Sequence, residues 1–203
     1  MKRGVIVVFG GSFNPPLNSH FSIAQQLINQ FEEVENIVFI PVNKKYPKKG
    51  LIDNEHRYNM LKLVANKNDK FIISDMDFYG EKSLPTIETL EKMQKQYPEK
   101  EIWFLTGSDN LKYLDTWDRA EDIVSKHKVI IMERESDQMD SIIENNPLLL
   151  KYRENFIRIN QEIRSNYSST YIRNQIKNNK SVRYLLPDEV YEYIVENNLY
   201  MEE

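Results

Sequence analysis

Phe9-Gly10-Gly11-Ser12-Phe13-Asn14-Pro15-Pro16-Leu17-Asn18-Ser19-His20 (FGGSFNPPLNSH) follows the apolar run Val5-Ile6-Val7-Val8. It leads into a segment, Phe21 to Phe31, whose apolar residues recur at helical spacing. A strand, a glycine pair and then a helix is how a parallel α/β fold begins. Gly10 and Gly11, two of only six glycines, open torsions closed to other residues and let a ligand approach the main chain. The helix starting near Ser19 offers unpaired N–H groups and a positive dipole to an anion. His20, in its first turn, either donates to a phosphate oxygen or serves the local structure. Neither the GxGxxG dinucleotide fingerprint nor the lysine-bearing P-loop is present, so the turn is a phosphate cradle of another kind or plain punctuation of the fold.

The pattern repeats outward from this stretch. Ile37 to Val42, Phe71 to Ser74, Ile102 to Leu105 and Val129 to Met132 read as further buried strands, rich in Ile, Val and Phe. Glu55 to Ala65 and Thr86 to Gln96 read as amphipathic helices between them. Alternating strands and helices predict an α/β fold: a Rossmann-like, doubly wound parallel sheet flanked by helices. One domain is expected over residues 1–203, its C-terminal helical part running from about 165 to 203. Pro187 introduces a last helix, Asp188 to Asn197, with Val190, Ile194 and Val195 expected toward the core, and the polar stretch Glu133 to Asp140 reads as a loop. In the common doubly wound order, strand 1 lies beside strand 4 and ligands bind outside the carboxyl ends of the strands. The opening turn and Phe104 to Asn110 (FLTGSDN) are then expected to face each other across one crevice.

Composition narrows the partners. A formal charge of −4 gives no global reason to bind a nucleic-acid polymer, which needs a basic face. The absence of cysteine excludes disulfides, thiolate zinc sites and cysteine nucleophiles, and fits a reducing compartment. The apolar run after Met1-Lys2-Arg3 is too short for a secretory signal and no stretch approaches a membrane span, so a cytoplasmic protein is expected. Small-molecule partners are the expectation, with self-association left open.

Three other stretches carry chemistry, each with two readings. In Tyr167 to Arg173 (YSSTYIR), Ser168, Ser169 and Thr170 either cap a helix or hold a phosphate together with Arg173, one turn on. In Asn43 to Gly50 (NKKYPKKG), Lys44, Lys45, Lys48 and Lys49 suit a polyanionic ligand or form a solvated surface. After strand 4, Asp109 accepts from ribose hydroxyls or caps its helix, and Trp117 stacks on a ring or fills the core.

Together these pieces resemble the nucleotidyltransferase superfamily, and most closely the bacterial nicotinate-mononucleotide adenylyltransferases. The resemblance runs nearly the whole chain in order: GGSFNPP with His20, PKK (47–49) with Arg57 and Met60, PTIETL (85–90), GSDNLKYLDTW (107–117), SSTYIR (168–173) and LPDEVYEYIVENNLY (186–200). It implies transfer of AMP from ATP to nicotinate mononucleotide, releasing pyrophosphate. The attacking phosphate is already ionised near neutral pH, so the protein must supply positioning and charge stabilisation rather than a general base. By resemblance, His20 and Arg173 are the catalytic pair, with Lys49, Ser168, Ser169 and Thr170 on the ATP phosphates. Gly10, Gly11, Ser12 and Phe13 line the nucleotide cleft, Gly107 and Asp109 contact adenosine or ribose, and Thr86 and Trp117 recognise the pyridine ring. Mg²⁺ is implied as a bridge between ATP phosphates, held largely by them and by water, with no protein metal site.

Two departures stand out. Where the family turn reads H-x-G-H, this chain has Leu17-Asn18-Ser19-His20, and the family's P-P-H-K loop has become Tyr46-Pro47-Lys48-Lys49. Leucine cannot donate to a phosphate, and the loss of one such donor typically costs about 2.7–4 kcal/mol of transition-state stabilisation. A catalytically weak nucleotide-binding paralogue, and an adenylyltransferase for another phosphorylated acceptor, are therefore alternative readings. Leu17→His with Ser19→Gly is expected to raise turnover, and the Asn43 to Gly50 loop is expected to close over the phosphates.

Overall fold

The computed structural model describes residues 4–133, 138–159 and 167–201. Its elements in chain order are β1 (Val5–Gly11), α1 (Asn18–Gln30), β2 (Val34–Pro41), α2 (Asn54–Ala65), β3 (Phe71–Ile73), α3 (Thr86–Gln96), β4 (Glu101–Gly107), α4 (Ser108–Leu111), α5 (Ala120–Lys126), β5 (Lys128–Met132), α6 (Met139–Glu144), α7 (Pro147–Lys151), β6 (Phe156–Arg158), α8 (Ser169–Lys177) and α9 (Asp188–Glu196). The sheet runs β3-β2-β1-β4-β5-β6. Every pair of neighbouring strands is parallel. The order reverses at β1, which pairs with β2 on one side and β4 on the other, as the doubly wound reading requires.

Alternation along the strands sorts side chains between two faces. Ile6, Val8, Val38, Ile40, Phe104 and Ile131 pack with Ile87, Leu90 and Met93 of α3 and Ile123 of α5. Val5, Val7, Phe9, Ile37, Phe39 and Leu105 pack with Phe21, Ala24 and Leu27 of α1 and Leu61 of α2. With both faces covered, the strands read as unbroken apolar runs rather than alternating ones. A third cluster fastens the C-terminal helices to the rest: Ile172, Ile176, Val190, Ile194 and Leu199 close around Met60 and Leu17.

The structure corrects several expectations. A sixth strand, β6, pairs with β5 at the sheet edge; its three residues, Phe-Ile-Arg, are too few to show a period. The expected loop Glu133 to Asp140 ends early, because Met139 and Asp140 open α6, while 134–137 lie outside the described residues. Val195 is 46% exposed rather than in the core, since it sits about 100° around α9 from Ile194. Gly10 and Gly11 do not take left-handed torsions; Phe13 (φ 43°) and Gly50 (φ 74°) do.

His127, between α5 and β5, is buried, and its Nδ1–H donates to the Ile102 carbonyl over 3.0 Å. Burial holds its pKa below the ordinary 6.5, offset in part by that hydrogen bond. The unfolded chain binds this proton more readily, so stability rises with pH through the window below 6.5 and falls as acid reaches the folded value. His127→Gln is expected to flatten that acid slope, which urea unfolding midpoints between pH 5 and 7 would show; an unchanged slope would exonerate the imidazole.

Candidate active site

Phe9 of β1 pairs with Leu105 of β4, so the two strands end side by side with Gly10-Gly11 and Thr106-Gly107 at one crevice. A Cβ built on Gly10 would meet no atom within 4 Å, whereas one on Gly11 would touch the Phe13 ring at 3.0 Å. The main chain of Gly10 thus lies open to a ligand, and Gly11 is small so that Phe13 can fold beneath it. Left-handed torsion at a non-glycine costs about 1–2 kcal/mol. The Phe13 ring offsets it by edge-on packing against Phe9 (5.4 Å), Phe39 (5.8 Å) and His20 (5.0 Å).

At the head of α1, the Leu17 N–H donates to His20 Nδ1 over 2.8 Å, the return half of a capping box in which imidazole replaces the usual Glu or Gln. A backbone N–H can only donate, so Nδ1 offers its lone pair and the ring proton sits on Nε2. His20 is therefore set as a neutral N–H donor at a helix N-terminus, where a positive charge is disfavoured. The local fold explains the histidine and also fixes the tautomer that a phosphate requires.

The turn between β1 and α1 is gripped from three sides. Arg57, fully buried on α2, donates to Ser12 O (3.0 Å), Ile52 O (3.1 Å) and Asn54 Oδ1 (2.7 Å). Burial pulls its pKa below the ordinary guanidinium value, against the fields of Tyr200, Asp77 and Asp53, and a guanidinium stays protonated regardless. From α8, Arg173 Nη1 donates to Asn14 O (2.8 Å) and Nη2 to Thr170 Oγ1 (3.2 Å), while the Ser169 hydroxyl donates to Pro15 O (2.9 Å). From the lysine loop, Lys48 Nζ lies 3.0 Å from Ser12 Oγ. Asn14, 1% exposed, donates from Nδ2 to Gly50 O (2.7 Å) and accepts at Oδ1 from the Ile52 N–H and the Tyr200 hydroxyl.

The structure thus gathers Ser12, Phe13, His20, Ser169, Thr170 and Arg173 at one turn. Ser168 does the capping, its Oγ accepting from the Tyr171 N–H at 3.2 Å. Lys48 reaches the turn, while Lys49 is exposed on the same loop. Lys44 pairs with Asp53, and Lys45 approaches Gly80 O at 3.5 Å. Across the crevice the Asp109 carboxylate folds back over Gly107, where an added Cβ would sit 2.2 Å from Oδ1. Trp117, half-buried, packs edge-on against Phe104 with centroids 6.1 Å apart, so part of its ring belongs to the core. Thr86 is the first residue of α3 and half-buried. Sequence reading assigned no role to Asn14, Arg57 or Tyr200; the signal for Arg57 was a charge inside an otherwise apolar helix face.

Leu17 is 2% exposed, packed in the third apolar cluster. Histidine in that rotamer would bury a polar ring among Met60, Ile172 and Val190. Leu17→His alone is therefore expected to lower stability by about 2–4 kcal/mol, checked by thermal melting, with any gain in turnover requiring the imidazole to swing out of the cluster. Melting within a degree of the original protein would show that it does swing out.

A concavity of about 930 Å³ lies at the opposite, amino ends of β4 and β5, lined by Lys95, Lys100, Glu101, His127 and Lys128 among others. Parallel sheets bind ligands at their carboxyl ends, which sets the crevice above β1 and β4 ahead of this groove.

The model of the cytidylyltransferase-like family matches residues 8–175, from β1 through most of α8. The chain belongs to the cytidylyltransferase-like family. A probable nicotinate-nucleotide adenylyltransferase of Clostridium botulinum (strain Okra / Type B1) is 34% identical over 197 residues, covering 95% of this chain and 97% of its own. One of the same name from Carboxydothermus hydrogenoformans is 34% identical over 203 residues, 98% of this chain and all of its own. Among solved structures, the Plasmodium falciparum nicotinic acid mononucleotide adenylyltransferase complexed with NaAD superposes with a TM-score of 0.80 at 22% identity, covering 97% of both chains. At that identity the superposition speaks for the fold: this family member carries the six-stranded parallel sheet and the helices behind it.

Proposed function

We propose that this protein transfers AMP from ATP to nicotinate mononucleotide, giving nicotinate adenine dinucleotide and pyrophosphate. The observation that carries the reading is the turn after β1, where a tautomer-fixed imidazole, an open glycine backbone, a lysine and the α8 hydroxyls and guanidinium converge at the carboxyl end of the sheet. Full-length relatives of that name support the choice of substrates.

An oxygen of the mononucleotide phosphate attacks the α-phosphorus of ATP. The new P–O bond forms as the bond to the β-phosphate oxygen breaks, and pyrophosphate leaves with the electron pair. His20 Nε2–H donates to the α-phosphate oxygens on which charge builds, without surrendering a proton. Lys48, with Lys49 beside it, and Arg173 neutralise the leaving phosphates, and the N-terminus of α1 adds its dipole. Gly107, Asp109, Thr86 and Trp117 take the sugar, adenine and pyridine groups across the crevice.

Among the described residues no three His, Asp or Glu side chains converge as a metal cage, and the groups at the turn are cationic or neutral. These residues do not fit a resident magnesium ion; Mg²⁺ belongs to the co-substrate, as its ATP complex. Among the described residues no helix is long and apolar enough to cross a membrane. We place the activity in the cytoplasm, where a cysteine-free chain and ATP fit.

Purified protein with Mg²⁺-ATP is expected to release pyrophosphate with nicotinate mononucleotide faster than with nicotinamide mononucleotide or phosphopantetheine. No release with any of the three, alongside measurable ATP binding, would favour a second reading: a nucleotide-binding protein slowed by Leu17, whose side chain offers no donor.

A further inference from the structure

We propose that Tyr200 is a positioning residue for the phosphate cradle, acting through Asn14. The inference rests on the adenylyltransferase reading and extends it to a residue 186 positions away in sequence. The end of α9 delivers the side chain. Asn198 is left-handed (φ 50°), its N–H donates to Val195 O over 3.2 Å, and the Leu199 N–H donates to Ile194 O over 3.0 Å. That pair of bonds is a Schellman motif, and Leu199 and Ile194 share the third apolar cluster as the motif prefers. The chain therefore doubles back, and Tyr200, itself left-handed at φ 64°, is aimed at the β1–α1 turn instead of solvent.

There its hydroxyl lies 2.9 Å from Asn14 Oδ1. Burial raises the phenol well above its usual range despite Arg57 and Arg173 nearby, so the group is protonated and donates. Gly50 O can only accept and the Ile52 N–H can only donate, so these two backbone groups decide which way the amide faces, with Nδ2 on Gly50 O at 2.7 Å and Oδ1 toward Ile52 at 3.4 Å. The phenol makes the shorter of the two contacts to Oδ1 and holds the amide in that place. Asn14 thereby ties the base of the lysine loop to the turn whose backbone Arg173 also holds, and Lys48 is carried to Ser12 by that same loop. Tyr200 touches no reacting atom; it sets the register between the lysine loop and the cradle.

The test compares Tyr200→Phe, which keeps the ring and loses the hydroxyl, with Asn14→Ala and the double variant, with circular dichroism confirming the fold. Tyr200→Phe is expected to lower kcat/KM for ATP at least fivefold, with KM for nicotinate mononucleotide within twofold of the original protein. The double variant is expected to match Asn14→Ala within twofold, because both act through one amide. Steady-state constants for Tyr200→Phe within twofold of the original, or a fivefold further loss on top of Asn14→Ala, would overturn the proposal. Should the original protein turn over no mononucleotide, the functional reading fails by itself. Calorimetric affinity for Mg²⁺-ATP then decides the Tyr200 proposal: at least fivefold weaker binding by Tyr200→Phe supports it, and equal binding overturns it.

Discussion

His20→Ala is expected to cut kcat by about 10²–10³-fold while leaving KM for ATP within a fewfold, because the lost Nε2–H contact strengthens as charge builds on the α-phosphate. With Nδ1 engaged by the Leu17 N–H, the ring cannot present a lone pair to the ligand, so its role is donation and not proton removal. A second consequence follows: any acid limb in the rate belongs to protonation of the mononucleotide phosphate, whose second pKa is about 6, and should persist in His20→Ala. Alanine also frees the Leu17 N–H, a cost of about 1 kcal/mol to stability that melting would register separately. A kcat within threefold of the original protein would remove His20 from the chemistry and leave it a capping residue.

Arg57→Ala is expected to cost about 3–5 kcal/mol of stability, a fall in Tm on the order of 10 °C for a chain of this size. The guanidinium is fully buried and satisfies two carbonyls and the Asn54 amide oxygen; alanine leaves those acceptors without that donor and opens a cavity at the centre of the fold. Asn54 Oδ1 also accepts from the Lys44 N–H at 2.6 Å, so the disturbance reaches the start of the lysine loop. Turnover should fall together with stability even at temperatures where the variant is folded, because Ser12 loses its restraint. Arg57→Lys is expected to recover little, since one ammonium cannot span three acceptors in the plane of the fork. A melting temperature within two degrees of the original for Arg57→Ala would show that the turn is held by Arg173 and Ser169 alone.

Much of this was legible before any coordinates. Strands buried on both faces advertise themselves as unbroken apolar runs, so β1, β2, β4 and β5 and the position of the crevice followed from the sequence. The helices α1, α2, α3 and α9 followed from their periods. What stayed hidden depends on partners distant in sequence or on segments too short for a pattern. β6 exists because Phe156 and Ile157 find β5, and α6 and α7 are each under two turns long. Leu17 read as a missing catalytic side chain and is also a packing residue, because nothing in the sequence near it shows that α8 and α9 pack around it. The left-handed torsion fell on Phe13 and not on the glycines because ring packing held it there, an effect no local preference foresees. Tyr200 and Asn14 could not have been paired from sequence at all.

The two ends of the described chain meet the sheet at opposite rims. Gly4 and Val5 start β1 at the rim away from the crevice, whereas Tyr200 reaches the cradle itself. An affinity handle or surface linkage therefore belongs at the amino end. The same handle at the carboxyl end would pull on Tyr200, and a side-by-side comparison of KM for ATP in the two tagged forms would expose the difference.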